Sequence, residues 1–256
     1  MKKKSTIMLI IFLLIIAFTI HHIYTTTSLI NRIQTFIPFD TNHSEIIRNG
    51  PNDKKVIALT FDDGPHPRFT PQILDLLKKY DAKATFFVLG KHVALYPDVV
   101  KREVLEGHEI GNHTFTHIDV KQTPKKKIQE EFEKTQDEIF SVAGIHPKLL
   151  RPPFGFCNKT VINIASEKNY KIILWSAHQD SNDWRNPGIG VIIKKTLSEV
   201  GNGDIVLFHD YVEGPSHTLE ALKVILPTLK EKGYEFVTIS ELLEHASIDE
   251  EIRKNN

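Results

Sequence analysis

From residue 56 onward, short apolar runs alternate about seven times with longer stretches of helical periodicity. Val56-Ile57-Ala58-Leu59, Ala84 to Leu89, Glu109-Ile110-Gly111, Leu149-Leu150, Lys171 to Trp175, Asp204 to Phe208 and Glu235 to Ile239 read as strands. Between them, 71–80, 96–106, a long segment capped by Thr123 and Pro124 and ending at Gly144, 160–168, 187–200 and 216–232 read as helices, and 241–245 closes the series. Thr70 with Pro71 and Thr123 with Pro124 look like helix openings, Gly144 looks like a helix end, and Pro227 is expected to kink or split its helix. Strands that alternate with helices are joined by crossovers and therefore run parallel, which makes the chain an α/β protein. No Gly-x-Gly-x-x-Gly follows the first strand, so the dinucleotide-binding version of this architecture is not indicated. Instead Asp62, Asp63, His113, Arg151, Asp180 and His209 each fall just after a predicted strand. Reactive residues at the C-terminal ends of several parallel strands are the arrangement of a (β/α) barrel with seven or eight repeats.

A single catalytic domain fits the length, since about 200 to 250 residues suffice for one barrel. Thirty-two basic residues balance thirty-two acidic ones, and no basic stripe with interleaved aromatics appears beyond the N-terminus, so no nucleic-acid partner is expected. The N-terminus is different in kind. Three lysines at 2–4 precede the uncharged apolar run Ile7 to Ile20, and no small-x-small cleavage pattern follows it. Residues 1–24 are therefore expected to form an uncleaved single-pass transmembrane anchor, with the lysines cytoplasmic and the rest extracytoplasmic. Residues 25–53 are expected as a stem, 54–245 as the catalytic domain and 246–256 as a polar tail. The lone Cys157 cannot form an internal disulfide, so the core alone must hold the domain.

Thr60-Phe61-Asp62-Asp63-Gly64-Pro65 ends the first strand in two adjacent carboxylates and a turn sequence. Neighbouring side chains leaving a strand point in different directions, so one aspartate can hold a cation while the other handles a proton. His113-Thr114-Phe115-Thr116-His117 sets two imidazoles four residues apart, which on a helical turn would face one ion. With one aspartate they make a donor set that zinc, cobalt, nickel or iron would fit. Arg151 precedes Pro152 and Pro153, whose rings hold the backbone extended and can aim the guanidinium at a carboxylate. Asp180-Ser181-Asn182-Asp183-Trp184 offers two carboxylates and an indole suited to stacking on a sugar ring. His209 ends a strand, and a carboxylate such as Asp180 beside it would keep it protonated for use as a general acid. His92, His108 and His146 lack such partners and read as surface histidines, and the charge runs Lys125–Lys127 and Glu130–Glu133 read as a solvated helix face.

Taken together in this order, the five stretches resemble the polysaccharide deacetylases of carbohydrate esterase family 4, over roughly residues 54 to 245. The resemblance implies a deformed (β/α) barrel with an open groove. It makes Asp62 the catalytic base and gives Asp63, His113 and His117 to one divalent metal ion, zinc being the first expectation. Arg151 would steady the base and Phe154, with Pro153 and Gly155 beside it, would offer a backbone amide to the oxyanion. Asp180 would tune the acid His209, Trp184 would wall the groove, and Leu207 would line the acetyl pocket. Phe154 stands where tyrosine is commoner in the family, and Asp210 to Gly214 replaces a Gly-rich loop carrying an arginine. The implied reaction is hydrolysis of N-acetyl groups on amino sugars of a cell-wall or extracellular polysaccharide, with peptidoglycan N-acetylglucosamine foremost, by a monomer held at the cell membrane. An acetyl ester hydrolase acting on a xylan-like glycan and a catalytically silent wall-binding protein are the alternatives.

Overall fold

The computed structural model describes residues 46–212 and 214–244. The strands among them are Ile46–Ile47 (β1), Val56–Asp62 (β2), Ala84–Val88 (β3), Glu109–Asn112 (β4), Leu149–Leu150 (β5), Lys171–Ile173 (β6), Ile205–His209 (β7) and Glu235–Phe236 (β8). All their pairings are parallel, in the order β1-β6-β5-β4-β3-β2-β7, with β8 added against the start of β2. Every residue of β2 is buried, which explains its unbroken apolar run: a central parallel strand is covered on both faces and does not alternate.

The helices include Phe69–Lys79 (α1), Gly90–Leu95 (α2), Pro97–Leu105 (α3), Lys125–Ala143 (α4), Lys159–Glu167 (α5), Ile189–Ser198 (α6) and His217–Glu231 (α7), and residues 239–244 are helical as well. Ile73, Leu74 and Leu77 of α1 pack with Leu222, Ile225 and Leu226 of α7 on Phe61, Phe86 and Phe208 of the sheet. A second cluster joins Ile128 and Phe132 of α4 to Val161 and Ile164 of α5 over Leu150 and Ile172.

The sheet curls without closing. Between β7 and the β1–β6 edge the ladder is replaced by irregular backbone from residue 174 to 181, where Ser176 N donates to the Ile205 carbonyl (3.0 Å) and Leu207 N to that of Gln179 (3.0 Å). Isolated bridges Asn49–Asp204 and Asp180–Leu207 complete the seam. The architecture is thus a half-open parallel barrel, and its deformation lies on the strand side where Asp180 and Trp184 sit.

Local details depart from the periodicity in informative ways. Thr70 is the second residue of α1 and caps nothing; its Oγ1 accepts from His66 N (2.7 Å) and donates to Asp210 Oδ2 (2.5 Å). Asn158 and Ser216 are true caps, accepting from Val161 N and Leu219 N. Gly144 closes α4 at φ 69°, a left-handed position that favours glycine. Pro227 neither splits nor ends α7, which runs through it, because seven buried residues on one face hold that helix to the sheet. The sheet begins at residue 46, inside the stretch expected as stem. The expected anchor, residues 1–24, lies outside the described residues, as do stem residues 25–45 and the tail. Among the described residues no helix is long and apolar enough to cross a membrane.

Candidate active site

Arg151 is the largest fully buried side chain, and each of its three guanidinium nitrogens is used. Nη1 donates to Asp62 Oδ1 (2.7 Å) and Thr60 Oγ1 (2.8 Å), Nε to the Ile173 carbonyl (3.1 Å) and Nη2 to the Leu174 carbonyl (3.2 Å). The Phe87 ring lies 4.1 Å from the guanidinium carbon. Burial pulls the guanidinium below its usual value, and Asp62 opposes that pull by charge and hydrogen bond. A planar fork gripped at this many points fixes Asp62 in one orientation. The other carboxylate oxygen, Oδ2, lies 3.8 Å from His113 Nε2.

Asp63 turns away from its neighbour because its backbone is left-handed at φ 74°. Its Oδ1 sits 3.5 Å from His113 Nε2 and 3.3 Å from His117 Nε2. That oxygen is buried and has no hydrogen-bond partner, so its lone pairs are unused. His113 Nδ1 lies 2.7 Å from the Arg151 carbonyl, to which only an N–H can bond, and this tautomer leaves Nε2 as a free donor atom. One carboxylate oxygen and two imidazole nitrogens lie within 4.8 Å of one another. An orphaned buried oxygen facing two imidazoles fits a divalent cation, and this is a candidate metal site. Burial lowers the His117 imidazole, with Asp63 acting against it, which favours the neutral form that a ligand must have.

The two histidines do not share a helical turn. They bracket an irregular loop in which Thr114 (φ 72°) and His117 (φ 62°) are left-handed, and it is this geometry that turns both rings toward Asp63. His92, read from sequence as a surface residue, is 5% exposed. Its Nδ1 donates to the Asp63 carbonyl (2.7 Å), supporting the left-handed backbone there, and its ring stacks on Tyr211 at 4.0 Å. His108 is buried too, accepting from Ala84 N (3.2 Å), and burial lowers it to about 4; His146 is exposed, as expected.

His209 ends β7 directly across from Asp62 on β2. Its carboxylate partner is Asp183 and not the expected Asp180: Nδ1 donates to Asp183 Oδ1 (2.7 Å) while His209 N and Thr218 Oγ1 donate to Asp183 Oδ2 (2.8 and 2.7 Å). Asp180 is spent locally, its Oδ1 accepting from Asn182 N (2.9 Å) in an Asx turn. Asn182 is left-handed (φ 55°) and starts the 3-10 turn Asp183–Arg185 that swings Asp183 inward. Burial works against the His209 imidazolium, but Asp183 outweighs it and lifts the pKa to about 9. For Asp183 burial favours the neutral acid, and His209 reverses this, holding the carboxyl below its usual range.

The remaining predicted residues surround this centre. Phe154 is 56% exposed, left-handed at φ 60°, with its ring centre 4.8 Å from that of His117 in an edge-to-face arrangement. Pro153 is buried beneath it and Gly155 (φ 66°) lies where a Cβ would meet the Trp175 ring at 2.9 Å. Trp184 is 54% exposed with the Arg185 guanidinium 4.5 Å from its ring, and Leu207 is buried mid-strand beside Thr60. Periodicity gave no hint of Asp210, which is 1% exposed, donates its N–H to the Asp62 carbonyl (3.3 Å) and is pushed up to about 7 by burial. Any Cβ at position 64 would collide with its carboxylate, so Gly64 is required beside the candidate ligand Asp63.

Known proteins resemble this chain in sequence and backbone. A peptidoglycan-N-acetylglucosamine deacetylase of Bacillus cereus is 46% identical over 195 residues, 76% of this chain and 91% of the relative. The enzyme PgdA of Listeria monocytogenes, described in the same words, is 44% identical over 188 residues, 73% of this chain and 39% of its own length. The crystal structure of the Bc1960 peptidoglycan N-acetylglucosamine deacetylase, in complex with an N-oxidanyl-benzamide, superposes with a TM-score of 0.75 at 36% identity, covering 79% of this chain and 94% of that one. Sequence and backbone thus agree along nearly the full length of two relatives, the family model for polysaccharide deacetylases matches residues 49–173, and the chain belongs to the polysaccharide deacetylase family.

Proposed function

We propose that this protein hydrolyses the N-acetyl group of N-acetylglucosamine in peptidoglycan. The observation that carries the reading is the pairing across β2 and β7 of a buried, Arg151-oriented Asp62 with an Asp183-charged His209, beside the Asp63, His113 and His117 donor set. Amide hydrolysis requires one group that takes a proton from water and a second that gives one to the departing nitrogen. The relatives named above supply the substrate class.

Asp63, His113 and His117 would hold the ion, zinc first, with cobalt, nickel or iron able to use the same donors. When bound, a divalent cation supplies Lewis-acid polarisation of a carbonyl and a lowered pKa for water. Asp62 removes the proton from the attacking water through Oδ2, since Oδ1 is occupied by Arg151. The backbone N–H of Phe154 stabilises the oxygen that gains negative charge. His209, kept cationic by Asp183, gives its proton to the departing sugar nitrogen, so that acetate and a free amine leave. Trp184 offers a ring face to a sugar of the glycan strand, and Leu207 lines the space for the acetyl methyl group.

The uncharged run Ile7 to Ile20 behind three lysines supports the further reading that the enzyme works at the outer face of the cell membrane. Membrane fractionation of the full chain, with protease added to intact cells, should find it membrane-bound and cleavable from outside. Recovery in the soluble fraction would refute this.

The function is tested by acetate release from peptidoglycan, chitooligosaccharide and acetyl-xylan in parallel, with zinc or with chelator. Zinc-dependent release is expected from peptidoglycan above the other two. Faster release from acetyl-xylan would make the enzyme an esterase, and zinc uptake without any release would make it a binding protein.

A further inference from the structure

The loop His113–His117 carries two of the three candidate ligands and has almost no regular structure of its own. Its geometry is set by short-range bonds and by contacts from outside. Asn112 Oδ1 accepts from Thr114 N (2.9 Å), and Thr114 Oγ1 accepts from His117 N (3.0 Å). On one side, the first amides of α2 take the loop's carbonyls, Gly90 N donating to Thr114 O (3.0 Å) and Lys91 N to Phe115 O (3.1 Å). On the other side stands a single side chain. Glu131 Oε2 accepts from Phe115 N (3.0 Å) and Thr116 N (2.7 Å), and Thr116 Oγ1 lies 3.0 and 3.1 Å from its two oxygens.

Glu131 lies within the charge run of α4, yet it is 2% exposed while its neighbours Glu130 and Glu133 are exposed. Among the described residues its cationic contact is Lys127 Nζ, at 3.4 Å from Oε1. A buried carboxylate is costly unless its oxygens are well used, and here they are used on consecutive backbone amides of the ligand loop. Those amides lie between Thr114 and His117, the two left-handed residues that turn the imidazole of His117 to within 3.3 Å of Asp63.

We propose that Glu131 is a positioning residue for the metal site: it clamps residues 115 and 116 so that His117 is presented to the ion at the distance set by Asp63 and His113. The inference rests on the reading of Asp63, His113 and His117 as metal ligands. Its consequence is that a side chain on α4, touching neither ion nor substrate, governs metal affinity.

The test is a zinc titration against a competing chelator on the full chain and its Glu131→Gln, Glu131→Asp and Glu131→Ala variants, with thermal melting of each zinc-free protein. Glu131→Asp keeps the charge but withdraws the oxygens from the loop, whereas Glu131→Gln keeps an acceptor at the same reach. Loss of an outer-shell partner costs about 10- to 100-fold in metal affinity, and that loss is expected for the Asp and Ala variants. Glu131→Gln is expected to bind zinc close to the wild-type value. Should Glu131→Ala fail to fold, the contrast between Asp and Gln still decides. Wild-type zinc affinity in Glu131→Asp, whatever its melting temperature, would reduce Glu131 to an ordinary structural residue and overturn the proposal. A wild-type protein that binds zinc through the three ligands but releases no acetate would refute the proposed function and leave this inference standing.

Discussion

Arg151 and Asp62 form an ion pair that water cannot replace, because both side chains are buried. Removing one partner of such a pair leaves the other charged and unsolvated, at a cost of about 3–5 kcal/mol. Arg151→Ala is therefore expected to lower stability by about that much in chemical denaturation, and Arg151→Lys to fall between the two, since an ammonium cannot reach Thr60, Asp62, Ile173 and Leu174 together. Asp62→Asn is the gentler change, for it keeps an acceptor facing Nη1. It should reduce kcat by about 10²- to 10⁴-fold, the contribution of a general base, while zinc still binds in calorimetry. Substantial residual turnover would remove Asp62 from that role.

The acid side of the site makes a separate prediction. His209 is raised to about 9, so the stability it contributes is complete below its ordinary 6.5 and is lost as pH rises through about 9. Asp183 is depressed, so its contribution is present above 3.8 and is lost as pH falls through its folded value. Asp183→Asn removes the charge that lifts His209, and the alkaline limb of kcat/KM should move from near 9 toward 6.5. An unmoved limb in the pH–rate profile would mean that Asp183 does not set the acid. Asp183 also marks where sequence reading stopped. Asp180-Ser181-Asn182-Asp183 presents two carboxylates, and only the left-handed Asn182 decides which one turns inward. That choice is made by a backbone angle that composition does not encode. The placement of Asp62, Asp63, His113, Arg151 and His209 at one end of the sheet was legible because each ends or directly follows a strand, where a polar residue needs a reason, and that of His117 because it stands four residues beyond His113.

At the scale of elements, the long periodic segments were legible and the irregular ones were not. β2, α1, α4 and α7 carry enough buried positions for their pattern to be read, within two or three residues at each end. α2 has six residues, too few for a period, and it is the element whose amides hold the ligand loop. The seam over 174–181 replaces a strand by single bridges, which alternation cannot forecast. Pro227 shows packing overriding propensity: a proline inside a helix costs about 3 kcal/mol, yet α7 continues through it. Pro227→Ala should raise stability by about 2 kcal/mol, the helix gain less about 1 kcal/mol of lost rigidity in the unfolded chain. Equal or lower stability of the variant would show that the helix is already adapted to the ring. Asn158→Ala, which deletes the cap on Val161 N, should cost about 1 kcal/mol.

For the molecule as a whole, the half-open barrel brings residues from four strand ends, those of β2, β4, β5 and β7, to one mouth. In the proposed mechanism β2 supplies the base, the loop after β4 two ligands, the loop after β5 the orienting arginine and β7 the acid. The ion would tie the first two of these together in the folded state alone. Zinc at 100 times its dissociation constant should therefore add about 2.7 kcal/mol of stability, raising the melting temperature by about 5–10 °C for a domain of this size. The most direct measurement is a zinc titration of chelator-stripped protein in which bound metal and acetate released from peptidoglycan are followed together. The account predicts that both saturate at one zinc per chain and that Asp63→Ala abolishes both; acetate release that proceeds at full rate without zinc, or survives in Asp63→Ala, would contradict it.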